Sequence, residues 1–226
     1  MFLTHLKLNP SRRDTRRLLA SPQRIHATVL AGIPDHREGE RVLWRLDEPA
    51  PHDINLLIAS HRQPDLTGLV EQAGWPVRSD IGWTTREYER LLDRLAPGQT
   101  WRFRLRANPV VRRRDETGRV HSIPHLTVAQ QRDWLVERSD RLGVRFPVGD
   151  DLIPHVTVSG RRTETFSRRT TDGSDSGRRV TITSAQFDGV LEVVDPSALR
   201  SALVEGVGRA KAYGCGLLTV TTAVGG

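Results

Sequence analysis

The residues of this chain whose types and spacing best suit binding chemistry lie near its end, in the segment 206–216, which we call the glycine loop. Its glycines are Gly206, Gly208, Gly214 and Gly216. Glycine lets backbone amides turn toward an anion, and Arg209 and Lys211 add positive charge at the same place. A strand pattern follows the glycines, whereas a mononucleotide-binding loop is followed by a helix. The segment predicts a loop that binds phosphate. The alternative that fits the same spacing is a helix that ends at a glycine and leads into a last strand.

A second basic feature is a strand pattern in which arginines alternate with apolar residues. The arginines are Arg102, Arg104 and Arg106, and the period of two places them on one face. Alternate side chains on a strand lie about 6.6 Å apart, close to the phosphate spacing of a nucleic-acid backbone. No carboxylate is interleaved between them in the sequence. The pattern predicts a face that binds nucleic acid, and a merely solvated strand face is the alternative.

Two His-x-Thr motifs, at His125 and His155, offer a different chemistry. Paired motifs of this kind resemble those of the two-histidine phosphoesterases, in which two strands present both histidines to a 2′,3′-cyclic phosphate or a 2′-5′ linkage. However, Thr127 and Gln130 form a capping-box pattern, so the first motif is expected to begin a helix. The separation of 30 residues is also short for two pseudo-symmetric halves.

His26 is a third histidine candidate. Ser21 and Pro22 are a favoured cap and first-turn pair for a helix, on which Ile25 and Val29 form the apolar stripe. His26 falls at the margin of that stripe, where a histidine either faces a cleft or is simply a boundary residue. Imidazole, with a pKa near 6.5, accepts or donates protons at neutral pH.

Composition favours a polyanionic partner. The 226 residues include 34 basic and 27 acidic side chains, for a formal net charge of +7, and only Lys7 and Lys211 of the basic ones are lysine. Arginine binds phosphate in a bidentate way, which suits RNA or DNA, although a genomic preference for arginine codons is an alternative source of the excess. The single cysteine, Cys215, allows no internal disulfide or zinc ribbon. With no signal-peptide or membrane-span pattern, we expect a soluble cytoplasmic protein without a cofactor or metal.

Periodicity divides the first part of the chain into strands and helices. It predicts strands over 2–8, 41–47, 53–60 and 75–83, and helices over 12–20 with Ser11 as N-cap, from 22 onward, and over 65–73. These elements form an N-terminal domain over 1–84. A capping box at Thr84 then predicts a connecting helix within 85–99, which stops at Pro97 and Gly98.

The remaining part, 100–226, forms the C-terminal domain. The patterns predict a strand from 101, a helix over 127–142, strands over 152–166 and 179–194, a helix that begins at Asp195 and Pro196, and a strand over 217–222. A polar loop over 167–179 is expected to be mobile. The order is β-α-β-β-α-β in both domains. The fold class is therefore α+β, with two tandem ferredoxin-like, RRM-like domains.

Taken in order, these segments resemble the CasE (Cse3) family, the CRISPR repeat-processing endoribonucleases of the type I-E Cascade complex. The segments that carry the resemblance are 6–10, 20–22 with His26, 42–46, 102–109, 187–196 and 206–218. The resemblance covers essentially the whole chain.

The resemblance implies an activity as well as a fold. It implies a metal-independent cut on the 3′ side of the repeat hairpin, with the guide RNA remaining bound and the protein becoming a subunit of Cascade. The catalytic histidine of the family maps onto His26. Its chemistry is attack of a 2′-hydroxyl on the adjacent phosphate, which leaves a 2′,3′-cyclic phosphate and a 5′-hydroxyl. The arginine strand, the glycine loop and four further arginines are expected to hold the RNA. Those four are Arg161, Arg162, Arg168 and Arg169.

One position departs from the family pattern. Well-known members carry a tyrosine three residues before the histidine, where this chain has Gln23. Gln23 shares a helix face with His26 but cannot shuttle protons. Either His26 acts with less help, or a cation such as Lys211 or Arg209 stabilises the developing charge. A noncatalytic tandem RNA-binding module is therefore an alternative, and the two-histidine phosphoesterase is a third.

Overall fold

A computed structural model describes residues 1–75, 82–150, 152–167 and 179–222. The chain divides into two compact units, which we call the first and the second unit. The first comprises Met1–Arg94 and Lys211–Leu217, and the second comprises Leu95–Ala210 and Leu218–Gly226. These bounds differ from the expected domain limits of 1–84 and 100–226, because the start of the expected connector and part of the glycine loop both pack in the first unit.

The first unit is a β-α-β-β-α-β fold with its first helix in two pieces. Its elements are β1 (Phe2–Leu8), α1 (Arg13–Leu19), α2 (Pro22–Ala31), β2 (Val42–Ala50), β3 (Asp53–Ser60), α3 (Thr67–Ala73), β4 (Trp83–Glu87), α4 (Glu89–Leu92) and a 3₁₀ helix (Lys211–Tyr213). The strands form an antiparallel sheet in the order β2-β3-β1-β4. This order is that of a ferredoxin-like domain.

One face of this sheet forms a core with the helices. Ile25, Val29 and Ile33 of the predicted apolar stripe are all buried in it. They pack with residues such as Leu6 and Ile58, which the strand period of two places toward the helices. The stripe therefore fixes which side of α2 turns inward, and His26 lies beside that side.

Two local predictions in the first unit were wrong. Ser11 is not the N-cap of α1, because Arg12 holds that position. Ser21 is the N-cap of α2 and Pro22 lies in its first turn, as predicted, although the Ser21 side chain makes no capping hydrogen bond. The capping-box pattern at Thr84 does not start a helix, because Trp83–Glu87 is a strand that pairs antiparallel with β1. Pairing with β1 outweighed the local capping signal, as tertiary context commonly does. Most of the strand predicted over 75–83 lies outside the described residues.

The second unit repeats the arrangement. Its elements are β5 (Thr100–Ala107), β6 (Val110–Arg114), β7 (Val120–Pro124), α5 (Val128–Val136), α6 (Ser139–Leu142), β8 (Val144–Arg145), β9 (Val156–Ser167), β10 (Arg179–Val193), α7 (Pro196–Glu205) and β11 (Leu218–Thr222). Its main sheet has the order β11-β5-β10-β8, and β9 also pairs with β10. The order β11-β5-β10-β9 is again ferredoxin-like.

Two features of the second unit differ from the sequence prediction. The helix expected over 127–142 is broken into α5 and α6, and α6 ends at Gly143 in the left-handed conformation. An antiparallel hairpin of β6 and β7 was not predicted at all. Its turn is held by Asp115, whose side chain accepts hydrogen bonds from the backbone amides of Thr117 and Arg119. The loop predicted to be mobile falls almost wholly on residues 168–178, outside the described residues.

Across the part of the chain that the structure describes, no helix has the length and apolar character needed to cross a membrane.

Candidate functional site

His26 lies on α2, at the edge of the helix face that is buried in the first unit. The side chain is half-buried, and its buried Nδ1 atom has no hydrogen-bond partner among the described residues. Burial lowers the pKa of His26 below its usual value of 6.5, and the positive charge of nearby His36 lowers it further. Burial disfavours the charged imidazolium. The structure therefore favours a neutral imidazole at His26 at neutral pH.

The glycine loop contributes to the surroundings of α2. Its 3₁₀ helix, Lys211–Tyr213, contacts both α2 and β2 within the first unit. This places Lys211 on an element that packs against the helix of His26. Gln23 lies one turn before His26 on α2 and is half-buried. The roles expected of Gln23 and Lys211 beside His26 stay predictions.

A buried arginine anchors this returning segment. Arg45 on β2 is 2% exposed. Its Nε and one terminal nitrogen donate to Asp47 at 2.7 and 2.9 Å, and its other terminal nitrogen donates to the carbonyl of Leu217 at 2.9 Å. A bidentate carboxylate and a carbonyl together satisfy the buried guanidinium. Arg45 therefore ties the end of the glycine loop to the sheet of the first unit.

The glycines of the loop serve packing and chain reversal. Gly206 has a φ of 77° and follows α7, as expected for a glycine-terminated helix that leads into a last strand. In the second unit, a Cβ at Gly208 would lie 3.2 Å from the ring of Trp134. In the first unit, a Cβ at Gly214 would lie 2.7 Å from Trp44. Close approach of backbone to tryptophan explains these two glycines, and a grip on phosphate stays a prediction.

A cluster that the sequence did not reveal lies between α2 and β2. Glu40 accepts hydrogen bonds from Nε and a terminal nitrogen of Arg62, at 3.0 and 2.9 Å. These bonds hold the pKa of Glu40 at about 2. Nδ1 of His36 lies 3.7 Å from the same carboxylate. Polar residues in loops follow no periodic sequence pattern, so the cluster could not be predicted from the sequence. It is visible only in the folded chain, where residue 62 lies next to residue 40.

The arginine strand is β5, and its alternation is as predicted. The apolar partners are buried, and the three arginines lie on the opposite face of the sheet. The strand itself carries no carboxylate between its arginines, but a carboxylate from the neighbouring strand interrupts this face. Asp188, opposite Arg104 on β10, accepts a hydrogen bond from its Nε at 2.5 Å, and Arg106 donates to Ser184 at 2.8 Å. The acidic residue was hidden from the sequence because it comes from a neighbouring strand.

The other predicted RNA contacts have varied positions. Arg161 and Arg162 are exposed on β9, and Arg161 donates to the carbonyl of Leu126 at 2.9 Å. Arg209 is exposed in the second unit. Arg168 and Arg169 lie outside the described residues.

The β6–β7 hairpin adds a basic surface that was missed. Its exposed basic side chains are Arg112, Arg113, Arg114, Arg119 and His121. The turn is well braced because Asp115 also accepts a hydrogen bond from Thr117 Oγ1 and lies 2.6 Å from His121 Nε2. The sequence pattern that could have predicted this basic hairpin is the run of three arginines before an Asp-x-Thr-Gly turn.

The two His-x-Thr motifs do not form a matched pair. Thr127 caps α5 in a complete capping box with Gln130, as predicted, so His125 lies in a loop before a helix. His155 is exposed and immediately precedes β9. The two motifs are thus presented by different kinds of element, unlike those of a two-histidine phosphoesterase.

Among residues 1–75, 82–150, 152–167 and 179–222, no cluster of three or more His, Cys, Asp or Glu side chains could hold a metal ion.

Comparison with known proteins gives one consistent result. A family described as CRISPR associated protein matches residues 1–222. The CRISPR-associated endoribonuclease Cse3 of Thermus thermophilus is 36% identical over 226 residues, 97% of this chain and 99% of that protein. The Cascade subunit CasE of Escherichia coli K12 is 30% identical over 160 residues, 67% of this chain and 72% of that protein.

A solved structure is similar along its whole length. It is that of the CRISPR endoribonuclease Cse3 bound to a 19-nucleotide RNA, with a TM-score of 0.73 and 33% identity. The match covers 98% of this chain and 100% of that one. With its two ferredoxin-like units and these full-length similarities, the chain belongs to the Cse3/CasE family of CRISPR-associated proteins.

Proposed function

We propose that this protein is an endoribonuclease that cuts CRISPR repeat RNA on the 3′ side of its hairpin and keeps the guide RNA bound. The observation that carries the proposal is His26, a half-buried imidazole on α2 whose pKa is lowered by burial, in a chain that is 36% identical to an endoribonuclease over nearly its full length. An imidazole that is neutral at neutral pH can take up a proton from a hydroxyl group.

The reaction needs no group beyond the side chains of the protein. The 2′ oxygen forms a bond to the adjacent phosphorus as its proton is removed, and the bond between phosphorus and the 5′ oxygen breaks. The 5′ oxygen takes up a proton, so the products are a 2′,3′-cyclic phosphate and a 5′-hydroxyl. His26 moves protons, and Lys211, on the 3₁₀ helix that contacts α2, stabilises the charge that develops on the phosphate. Gln23 supports the site as a hydrogen-bond donor.

The second unit supplies surfaces for the RNA backbone. The face of β5 carries Arg102, Arg104 and Arg106, of which Arg104 is partly neutralised by Asp188. The run Arg112–Arg114 of the β6–β7 hairpin is exposed, and Asp115 beside it is engaged in holding the turn. Further contacts come from Arg161, Arg162, Arg168, Arg169 and, in the glycine loop, Gly206, Gly208 and Arg209. Contacts of this kind read the shape and charge of a hairpin.

The proposal extends to partners and place of action. CasE of Escherichia coli is a Cascade subunit, and we expect this protein to join other Cascade subunits through its bound guide RNA. It would act in the cytoplasm, where precursor RNA is made. It would need no metal and no cofactor.

One experiment tests the activity against its alternatives. The cognate repeat RNA is incubated in EDTA with the wild type, with His26→Ala, and with the double variant His125→Ala, His155→Ala. We expect cleavage by the wild type and the double variant and a rate at least about 10²-fold lower for His26→Ala, the scale of a lost general acid or base.

The other outcomes each have a meaning. If no protein cleaves but all bind, the chain is a noncatalytic RNA-binding module, as the replacement of the family tyrosine by Gln23 would suggest. If only the double variant loses cleavage, the phosphoesterase is correct. A repeat RNA with a 2′-deoxynucleotide at the cut site should resist the wild type. Normal cleavage of that RNA would contradict attack by the 2′-hydroxyl.

A further inference from the structure

We propose that a groove between α1, α2 and α3 of the first unit binds an unpaired nucleotide of the repeat RNA on the 3′ side of the cut. The base lies in the groove, and arginines of α1 and α2 contact the phosphates beside it. The inference rests on the proposed function and adds a binding site to it, because the other proposed RNA contacts all hold the hairpin.

The groove combines an apolar floor with a polar rim. Its volume is about 320 Å³, at the lower end of the range of roughly 300–1,000 Å³ for small-molecule sites. Leu18, Leu69 and Ala73 line it and are buried. An apolar floor suits the faces of a planar base, and polar groups around it suit the edge of the base. The polar residues that line the groove are Asp14, Arg17, Arg24, Thr28 and Gln72.

The two arginines of the rim are held at the groove. Arg17 donates a hydrogen bond to the carboxylate of Asp14 at 3.1 Å, and Arg24 donates to the backbone carbonyl of Arg17 at 3.2 Å. These bonds leave most of the N–H donors of each guanidinium available, and guanidinium planes stack on unpaired bases. The exposed amide of Gln72 both donates and accepts, so it is suited to the edge of a base.

The surface of α1 adds positive charge outside the groove. Arg13, Arg16 and Arg17 are exposed and lie three or four positions apart, so they share one face of the helix. Asp14 is the acidic residue of this helix, and it forms an ion pair with Arg17. Arginines on an exposed face bind phosphate, often in a bidentate way. The charge around the groove therefore fits a nucleotide within an RNA chain.

The groove and the 3₁₀ helix of the glycine loop lie on different sides of α2. β2 is an edge strand of the sheet of the first unit, and both α2 and the 3₁₀ helix contact it. The groove instead lies where α2 faces α1 and α3, and α1 contacts both of the other helices. An RNA strand that passes from the 3₁₀ helix to the groove must therefore cross α2.

Helix periodicity places His26 on the way. At 100° per residue, Gln23 and His26 share one flank of α2, whereas Arg24 and Thr28 lie on the flank that lines the groove. Ala27 is exposed between the two flanks, and its small side chain leaves the path over the helix open. A helix with its side chains is about 10–12 Å across, so a strand that leaves His26 reaches the groove within a few nucleotides.

The side of the cut follows from the proposed hairpin contacts. Those contacts belong to the second unit and to the glycine loop, and the cut lies on the 3′ side of the hairpin. The strand beyond the cut is the part of the RNA that they leave without a partner. The groove lies beyond His26 from the 3₁₀ helix of the glycine loop, which matches the course of that strand.

The test measures the affinity of the protein for three RNAs. The first is the repeat hairpin that ends at the cut. The second adds a single-stranded 3′ extension, with a 2′-deoxynucleotide at the cut to prevent cleavage, and the third carries abasic nucleotides in that extension. We expect the extension to tighten binding by the wild type at least about fivefold, the scale of one stacked base, and the abasic extension to lose most of this gain.

Two double variants show whether the gain belongs to the groove. Arg17→Ala, Arg24→Ala should lose the gain from the extension. Arg86→Ala, Arg90→Ala is the matched control, because it also removes two exposed charges from the first unit, and it should keep the gain. The two variants should bind the hairpin that ends at the cut equally well, and thermal unfolding checks that both are folded.

A second measurement locates the base directly. Thiouridine is placed in the 3′ extension and activated by light, and the crosslinked peptides are identified by mass spectrometry. Crosslinks should fall within α1 or α3. Crosslinks confined to other segments, or none, would overturn the site.

The failures are distinguishable from a failure of the proposed function. An equal gain from the extension in the wild type and in Arg17→Ala, Arg24→Ala would overturn the role of the groove. An abasic extension that keeps the full gain would show that phosphates alone are bound. A gain from a 5′ extension and none from the 3′ extension would contradict the side of the cut. All three results leave the proposed function intact, whereas a wild type that does not bind the hairpin would overturn both.

Discussion

Arg45 donates a hydrogen bond to the backbone carbonyl of Leu217, a residue 172 positions later in the chain. The bond is buried, and the guanidinium is held at the same time by both carboxylate oxygens of Asp47. Through this arginine, a segment from the end of the chain becomes part of the first unit, and its 3₁₀ helix lies against α2. The surroundings of His26 therefore depend on a contact made far from it in sequence.

Replacing this arginine should destabilise the protein strongly. Arg45→Leu removes the guanidinium that binds both oxygens of the buried Asp47 carboxylate, and breaking a buried ion pair costs about 3–5 kcal/mol. Urea denaturation measures this loss in the free energy of unfolding. The double variant Arg45→Leu, Asp47→Leu should lose less, because no unpaired charge remains. Equal losses for the single and double variants would show that the ion pair is not what holds this site together.

Gly214 should resist even the smallest side chain. Gly214→Ala places a Cβ 2.7 Å from a ring carbon of Trp44 at a φ of 77°, so both the tryptophan and the backbone must shift. We expect a loss of about 2–4 kcal/mol in the free energy of unfolding, as for overpacking combined with backbone strain. Gly39→Ala is the matched control, since its φ is 90° but no described residue lies within 4 Å of the new Cβ. Similar losses in the two variants would rule out the contact with Trp44 as the cause.

The pH dependence follows from the lowered pKa of His26. As a base, His26 must be neutral, so the cleavage rate should not fall until the pH drops below 6.5, toward the lowered pKa. The free energy of unfolding depends on pH in the same direction as the cleavage rate. The stability that neutral His26 contributes is complete above pH 6.5 and is lost as the pH drops through the folded-state pKa of His26. Single-turnover rates between about pH 4.5 and 8 measure the first effect, about one decade per pH unit once His26 is protonated. A rate that already declines as the pH is lowered from about 8 to 7 would contradict this assignment.

Lys211 should matter to cleavage more than to binding. Lys211→Ala removes the cation from the 3₁₀ helix that contacts α2, and we expect the single-turnover rate to fall by about 10²-fold, the scale of one lost charge-stabilising group. The chain offers one other lysine as control, Lys7 on β1, which forms an ion pair with Asp53 at 3.6 Å. Lys7→Ala should cleave normally. Undiminished cleavage by a Lys211→Ala, Arg209→Ala double variant would show that these charges are not needed.

The basic hairpin should contribute to the salt dependence of RNA binding. Arg112 and Arg114 lie two positions apart on β6, so they share a face. Their double alanine variant should bind repeat RNA more weakly at low salt and lower the slope of log affinity against log salt by about 2. The control removes two charges elsewhere, with Arg86→Ala and Arg90→Ala in the first unit. An equal change in slope for both pairs would indicate a general effect of net charge.

Local patterns in the sequence were enough to predict most elements and the family. Alternation over β5 and the Ile25, Val29 and Ile33 stripe of α2 each have their own period, and burial of one side follows from them directly. The prediction that His26 is catalytic rested on a family resemblance that extends over the whole chain. These inferences needed no knowledge of which elements are neighbours.

Which residues meet across the fold became visible only when the elements were packed together. Thr84 belongs to a strand because β1 pairs with it, Asp188 neutralises Arg104 across two strands, and Arg62 reaches Glu40 from beyond β3. Such contacts join polar residues that have no periodic pattern and are far apart in the chain, so nothing in their immediate sequence encodes them. The same is true of the glycine loop: its composition suggested phosphate, but Gly208 and Gly214 are required because two tryptophans pack against them.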